Sequence, residues 1–319
     1  MTRFKKVILS LLATLALGGC QMGLGSQKNW RGAEGKVKIL STIAQIGDLA
    51  KEVGGERVEA RVLIQGDLDP HSYEIVKGDS ELLEGADLIF YNGLGLEHGA
   101  SLFSALQKSP KGVAIGEKIR ERFPKEILMR DQVVDPHIWM DISLWQKGVE
   151  PMVEALILQD PQGEEHYRKR GEALLEKMER AHLELKAQLQ AIPQERRYLV
   201  TSHDAFHYFT RSYLAEAGEE GWERRVAAPE GLAPEGQLSL RTLQEIMAYL
   251  KDKRIGVLFS ESNVSHDSIR KVQTAGAEMG LEIQICSEPL YGDAPCGHLY
   301  LEMMQKNGQT IAKYLLCGQ

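Results

Sequence analysis

The sequence predicts two α/β lobes, each a parallel-sheet-rich layer flanked by helices, joined by one long rigid helix. Three observations carry this expectation. From Lys36 onward, short β-branched apolar runs alternate with amphipathic stretches; the same alternation returns after Arg197; and between the two lies an unbroken stretch of helix-forming residues.

In the first half, VKILST (37–42) reads as a strand and IAQIGDLAKEVGG (43–55) as a helix stopped by glycines. VEARVLI (58–64) is again a strand. ELLEGA (81–86) is a short helix, ADLIFYNG (86–93) a strand and GASLFSALQKS (99–109) a helix. This order favours a parallel sheet covered on both faces. In the second half, strands are expected at 197–203, 255–262 and 281–287, and helices at 205–217, 238–253, 266–280 and 299–315. The stretch from Glu164 to Ile192 is rich in Glu, Lys, Arg, Leu and Ala and has no proline. Leu174, Leu175, Met178, His182, Leu185 and Leu189 fall near helical spacing, with Gly171 the weak point. A helix of this length spans roughly 40 Å, which makes it a stiff connector. The expected division is 36–163, 164–192 and 193–319.

The first residues carry an export signal. Arg3, Lys5 and Lys6 precede the apolar run Val7 to Leu17, which is too short for a permanent membrane span. Leu17-Gly18-Gly19-Cys20 then resembles a bacterial lipobox, so residues 1–20 read as a signal peptide and Cys20 as a lipidated anchor. Residues 21–35 read as a flexible, glycine-rich tether. A periplasmic or cell-surface protein on a bacterial membrane follows. Cys286, Cys296 and Cys317 remain, and an oxidising compartment allows a disulfide. Cys286–Cys296 would close a short loop and is the favoured pairing; connectivity stays open.

Composition sets bounds without naming a function. The chain of 319 residues is 43% hydrophobic and 26% charged with a net charge of −7, which lacks the basic face that nucleic acid demands.

Four segments place a His or Asp just past an expected strand, where open α/β sheets bind ligands. They are Asp69-Pro70-His71, Asp135-Pro136-His137, Ser202-His203-Asp204 and Tyr291-Gly292-Asp293. Three imidazoles and a carboxylate suit zinc, manganese, iron, copper or nickel, and four ligands leave no position kept for a catalytic water. Prolines before His71 and His137 stiffen the backbone. Asp69, Asp135 and Asp204 are candidate acceptors of a ring N–H. Any one of these histidines alone is more simply a surface or core residue; the repeated Asp-Pro-His argues otherwise for His71 and His137. His203 and His207 form an HxxxH pair that could mimic a zinc hydrolase, but Asp204 stands where its glutamate base would. His207 reads as a helix-face residue, and His98 as lying near the site or at a lobe rim. His166, His182, His266 and His298 read as helix or surface residues.

These four segments, in this order, with the lipobox and long helix, resemble the metal-binding solute-binding lipoproteins of manganese, zinc or iron ABC importers, the cluster-9, TroA-like group. The resemblance covers essentially the whole mature chain. DPHSYEIVKGD, YNGLGLEHG, DPHIWMD, RYLVTSHDAFHYFTRSYL and PEGLAPEGQ are similar to its chlamydial, iron-linked branch. It implies one divalent transition-metal ion (Fe, Mn or Zn) held in the interlobe cleft by His71, His137, His203 and Asp293. Its other implications are an ABC permease as partner, a monomer, and no enzymatic activity. Departures are that residues 111–135 hold no histidine-rich loop as in zinc members, His203 replaces the usual Glu of manganese members, and YGDAP replaces an Asp-Ser pair. The competing expectations are an exported metal-dependent hydrolase using the same cluster, and a surface lipoprotein whose metal is structural.

Overall fold

The computed structural model describes residues 30, 32–130, 132–234 and 238–317. The signal peptide, Cys20 and most of the expected tether lie outside these residues. Strands Val37–Ser41 (β1), Val58–Val62 (β2), Leu88–Tyr91 (β3) and Gly112–Ala114 (β4) pair in parallel in the order β2-β1-β3-β4. Helices Ala44–Gly54 (α1), Asp79–Gly85 (α2), Ala100–Lys108 (α3) and Ile115–Arg122 (α4) complete this lobe. The expected tether is shorter than its reading to residue 35, because Trp30 is docked. Its indole N–H donates to Leu82 O at 3.1 Å, and Arg61 stacks on its ring.

A small antiparallel hairpin, Met129–Arg130 (β5) and Val133–Val134 (β6), leads to Ile142–Trp145 (α5) and Val149–Gln159 (α6). Then comes the long helix, Glu164–Gln190 (α7), 27 residues without a break. It buries Tyr167, Gly171, Leu174, Met178, His182, Leu185 and Leu189, every third or fourth residue, against α1, α5 and α6 and the C-terminal helix. Leu175, expected on that stripe, lies outside it at 36% exposure.

In the second lobe, Leu199–Val200 (β7), Val226–Ala227 (β8), Val257–Leu258 (β9) and Gln284–Ile285 (β10) form two parallel pairs, β7 with β8 and β9 with β10. The Phe259 N–H donates to Val200 O at 2.8 Å and links them. The resulting order, β8-β7-β9-β10, repeats that of the first sheet. These strands are shorter than expected. The helix expected at 205–217 is instead a turn, His207–Phe209 (α8), continued by a π-turn at Thr210–Leu214. Leu240–Lys253 (α9), Asp267–Glu278 (α10) and Tyr300–Cys317 (α11) follow as expected. One apolar core runs through the first lobe, α7 and the near side of the second lobe, and a smaller cluster sits under α9 and α10.

The favoured Cys286–Cys296 disulfide is not formed. Cys286 is buried with its thiol donating to Glu288 O, while Cys296 is exposed beside Ser262 Oγ at a backbone φ of +48°. No described helix is long and apolar enough to cross a membrane.

Candidate metal centre

Each of the four sequence-chosen residues lies in the segment after a strand: His71 after β2, His137 after the β5–β6 hairpin, His203 after β7 and Asp293 after β10. His71 sits in the loop after β2, where Asp69 Oδ1 accepts its backbone N–H at 2.9 Å and Asp69 Oδ2 accepts Ser72 Oγ–H at 2.6 Å. That turn fixes the entry of Pro70-His71. His137 is held from two sides. Asp135 Oδ1 accepts its backbone N–H at 3.0 Å and lies 2.8 Å from its Nδ1, while Asn92, just past β3, donates to Pro136 O. His203 follows β7, and Glu261 Oε1 accepts its backbone N–H at 2.9 Å with Oε2 2.7 Å from its Nδ1. Asp293 is presented by a loop whose carbonyls take hydrogen bonds from the first lobe: Trp139 Nε1 to Gly292 O at 3.0 Å and Gln45 Nε2 to Asp293 O at 2.7 Å.

The ligand atoms converge. His137 Nε2 lies 3.3 Å from His71 Nε2 and 3.4 Å from Asp293 Oδ1; Asp293 Oδ2 lies 3.2 Å from His203 Nε2 and 3.7 Å from His71 Nε2. One atom from each residue falls within 4.8 Å of all the others. A tetrahedron with bonds of about 2.05 Å has edges of about 3.3 Å, so this spacing is that of a coordination shell. All four residues are at most 3% exposed.

Electrostatics differ from ligand to ligand. Burial pushes the His71 imidazole down to about 3, against the opposing pull of Asp293, so it stays neutral. Burial also opposes charge on His203, yet Glu261 and Asp293 together carry it well above the ordinary histidine range. Burial alone would raise Asp293, but the surrounding imidazoles, His203 foremost, hold it well below the carboxylate range.

Of the three ring partners expected from sequence, only Asp135 has that role. Asp69 serves the backbone of His71, and Asp204 turns away to His207 Nδ1 at 3.1 Å and Arg130 at 3.6 Å. Glu261 was missed, 58 residues from His203 in sequence and marked by nothing but its place after a strand. His98 is exposed at the rim, its ring 5.6 Å from that of His71. His207 is buried on the short helix after His203, with Trp222 against its ring. His182 packs on Tyr213, His166 faces Gly54 O, His266 precedes α10 and His298 packs on Tyr291.

Two parallel α/β layers about a stiff helix, closing buried nitrogen and oxygen ligands between them, define a metal-capturing solute-binding protein. The chain belongs to the ZnuA family, described as zinc-uptake complex component A, periplasmic, whose model matches residues 39–314. It is 38% identical over 316 residues to the metal-binding protein YtgA of Chlamydia trachomatis, covering 98% of this chain and 96% of that one. It is 32% identical over 318 residues to the manganese-binding lipoprotein MntA of Bacillus subtilis, covering 96% and 97%. The crystal structure of Fe(III)-bound YtgA from Chlamydia trachomatis superposes with a TM-score of 0.84 at 38% identity, covering 88% of this chain and 98% of that one. The protein is therefore a metal-binding, substrate-binding component of metal uptake and not an enzyme. The hydrolase expectation gains no support: Asp204, in the place of the base, is spent on His207 and Arg130.

Proposed function

We propose that this chain is the extracytoplasmic component of an ABC importer that captures one transition-metal ion and delivers it to the membrane permease, with His71, His137, His203 and Asp293 as ligands. The observation that carries the reading is the meeting of four buried ligand atoms, two from each half of the chain, within 4.8 Å. The same reading divides the chain into lobes at 36–163 and 193–319 with the connecting helix at 164–192. It makes Cys20 the lipidated anchor of a monomer on the periplasmic or cell-surface side of the membrane. Relatives named for manganese, for zinc and for iron support a transition metal as cargo.

The test is metal content by mass spectrometry before and after gentle chelation. One ion per chain, lost and regained while circular dichroism stays native, is the expected result, and a His71→Ala, His137→Ala double variant should hold none. Unfolding on chelation would instead mark a structural metal, and a double variant that keeps its ion would overturn the ligand set. Mass spectrometry of the mature N-terminus tests the anchor, expected as an acylated Cys20.

A further inference from the structure

Only His71 and Asp293 among the four ligands keep any exposure, 2% and 3%, so an ion reaches the closed site past one of them. Beside His71 stands His98, an exposed imidazole to which the four-ligand site gives no part. The rings of His71 and His98 are 5.6 Å apart and inclined at 54°, nearly the arrangement of His71 and His137, 5.3 Å and 51°. The His98 ring is exposed, but its backbone is held. Its N–H donates to His71 O at 3.3 Å, and its Nδ1 lies 3.1 Å from Gly95 O. On one side Glu97 is buried, accepting from the Thr42 hydroxyl and from the Asn92 and Gly93 N–H groups. On the other, Gly99 lies so close to the His71 loop that an added Cβ would collide with the Tyr73 carbonyl. A short braced segment thus fixes His98 beside His71.

We propose that His98 is an entry ligand, which takes the incoming ion together with His71 and passes it into the closed site. This rests on the reading of the four residues as ligands. A transition-metal ion arrives with its shell of water, and exchanging those waters for protein atoms one at a time costs less than stripping them together at a buried site. An imidazole nitrogen suits the same metals as the three histidines inside. The Gly95 carbonyl can only accept, so the neutral His98 ring carries its proton on Nδ1 and its lone pair on Nε2. Histidines that ligate metals are commonly held in this way. His98 is not a fifth ligand of the closed site, because the group of atoms that meets within 4.8 Å does not include it. It acts in transit alone. A ligand that holds the ion only at the crossing speeds entry and exit by the same factor and leaves the equilibrium where it was.

The experiment is stopped-flow uptake of Co2+, read by tryptophan fluorescence because the Trp139 ring lies 5.4 Å from that of His137. Release is measured into excess chelator, in the full chain and in His98→Gln and His98→Glu. In His98→Gln, which lacks the imidazole, both rate constants should fall by on the order of tenfold, with Kd unchanged. His98→Glu returns a ligand atom and should recover most of both rates. Recovery of uptake alone would show attraction of charge in place of ligation and overturn the entry role. Unchanged rates in His98→Gln would overturn it too, as would a weaker Kd with faster release, the mark of a fifth ligand or of a disturbed His71. A wild-type chain that takes up no Co2+ would reject the four-ligand set itself, a result distinct from any of these.

Discussion

His71 and His203, two of the four proposed ligands, start from opposite electrostatic positions. Burial keeps His71 neutral, whereas Glu261 and Asp293 hold a proton on His203 in the metal-free protein. That proton must leave before Nε2 can coordinate, so binding releases it and affinity falls as pH falls through the raised pKa of His203. The expected loss is about tenfold per pH unit for one proton, beginning above the ordinary histidine value of about 6.5. Competition measurements of Kd between pH 8.5 and 5.5 would show a sloping line; a flat one would contradict the three-histidine site. Gly292 sets a second prediction at this scale. A Cβ there meets Glu261 Oε2 at 2.5 Å, so Gly292→Ala should cost about 1–3 kcal/mol of strain at the site. Metal titration should show that as a loss of affinity of about fivefold or more. That His71, His137, His203 and Asp293 come together was legible in part from the recurring Asp-Pro-His, which marks His71 and His137, while His203 and Asp293 stood out only through the family resemblance. Asp135 was legible as a ring partner two residues away. Glu261 was not, because nothing local distinguishes a brace from any other glutamate.

At the level of elements, the long helix was readable from its 3.6-residue stripe and its lack of proline, and its observed bounds differ from the expected ones only at the C-terminal end. Gly171 reads as a weak point in sequence and is a contact point in the fold. Its missing side chain lets α6 approach, since a Cβ would lie 2.8 Å from Val153 Cγ2. Gly171→Ala gains roughly 1 kcal/mol of helix propensity but overpacks a β-branched neighbour by about 1–3 kcal/mol. A net loss of about 1 kcal/mol, a fall in Tm of roughly 2–4 °C, is the expected outcome in a thermal melt; a rise in Tm would show that Val153 yields freely. The short strands and the π-turn after His203 were not legible. Leu199–Val200 and Val257–Leu258 are bounded by where their neighbours stop pairing, which is tertiary information. The π-turn exists because the helix must satisfy several partners at once. Tyr208 Oη–H reaches Asp135 O, Tyr213 Oη accepts the Ile142 N–H, and Ala215 N–H returns to Thr210 O.

Across the whole molecule, the closed site implies that capture and release need a gap to open. The four ligands are buried, and the core is continuous along α7, so the long helix resists wide hinging. What joins the Asp293 loop to the first lobe is a short set of hydrogen bonds. Trp139 Nε1 reaches Gly292 O and Gln45 Nε2 reaches Asp293 O, and the Tyr300 hydroxyl steadies Trp139 from behind at 2.7 Å. A modest shift of this loop, with Asp293 on it, would withdraw one ligand and uncover the other three without rebuilding either sheet. Each such bond contributes about 1 kcal/mol, so removing one should speed release several-fold while leaving the ligands in place. Gln45→Ala tests this directly, because Gln45 touches no ligand side chain among its hydrogen-bond partners. Stopped-flow release into excess chelator should be about fivefold faster than in the unaltered chain, with the association rate nearly unchanged. Equal release rates in the two proteins would mean that the ion leaves by another route, and the Asp293 loop would lose its standing as the gate.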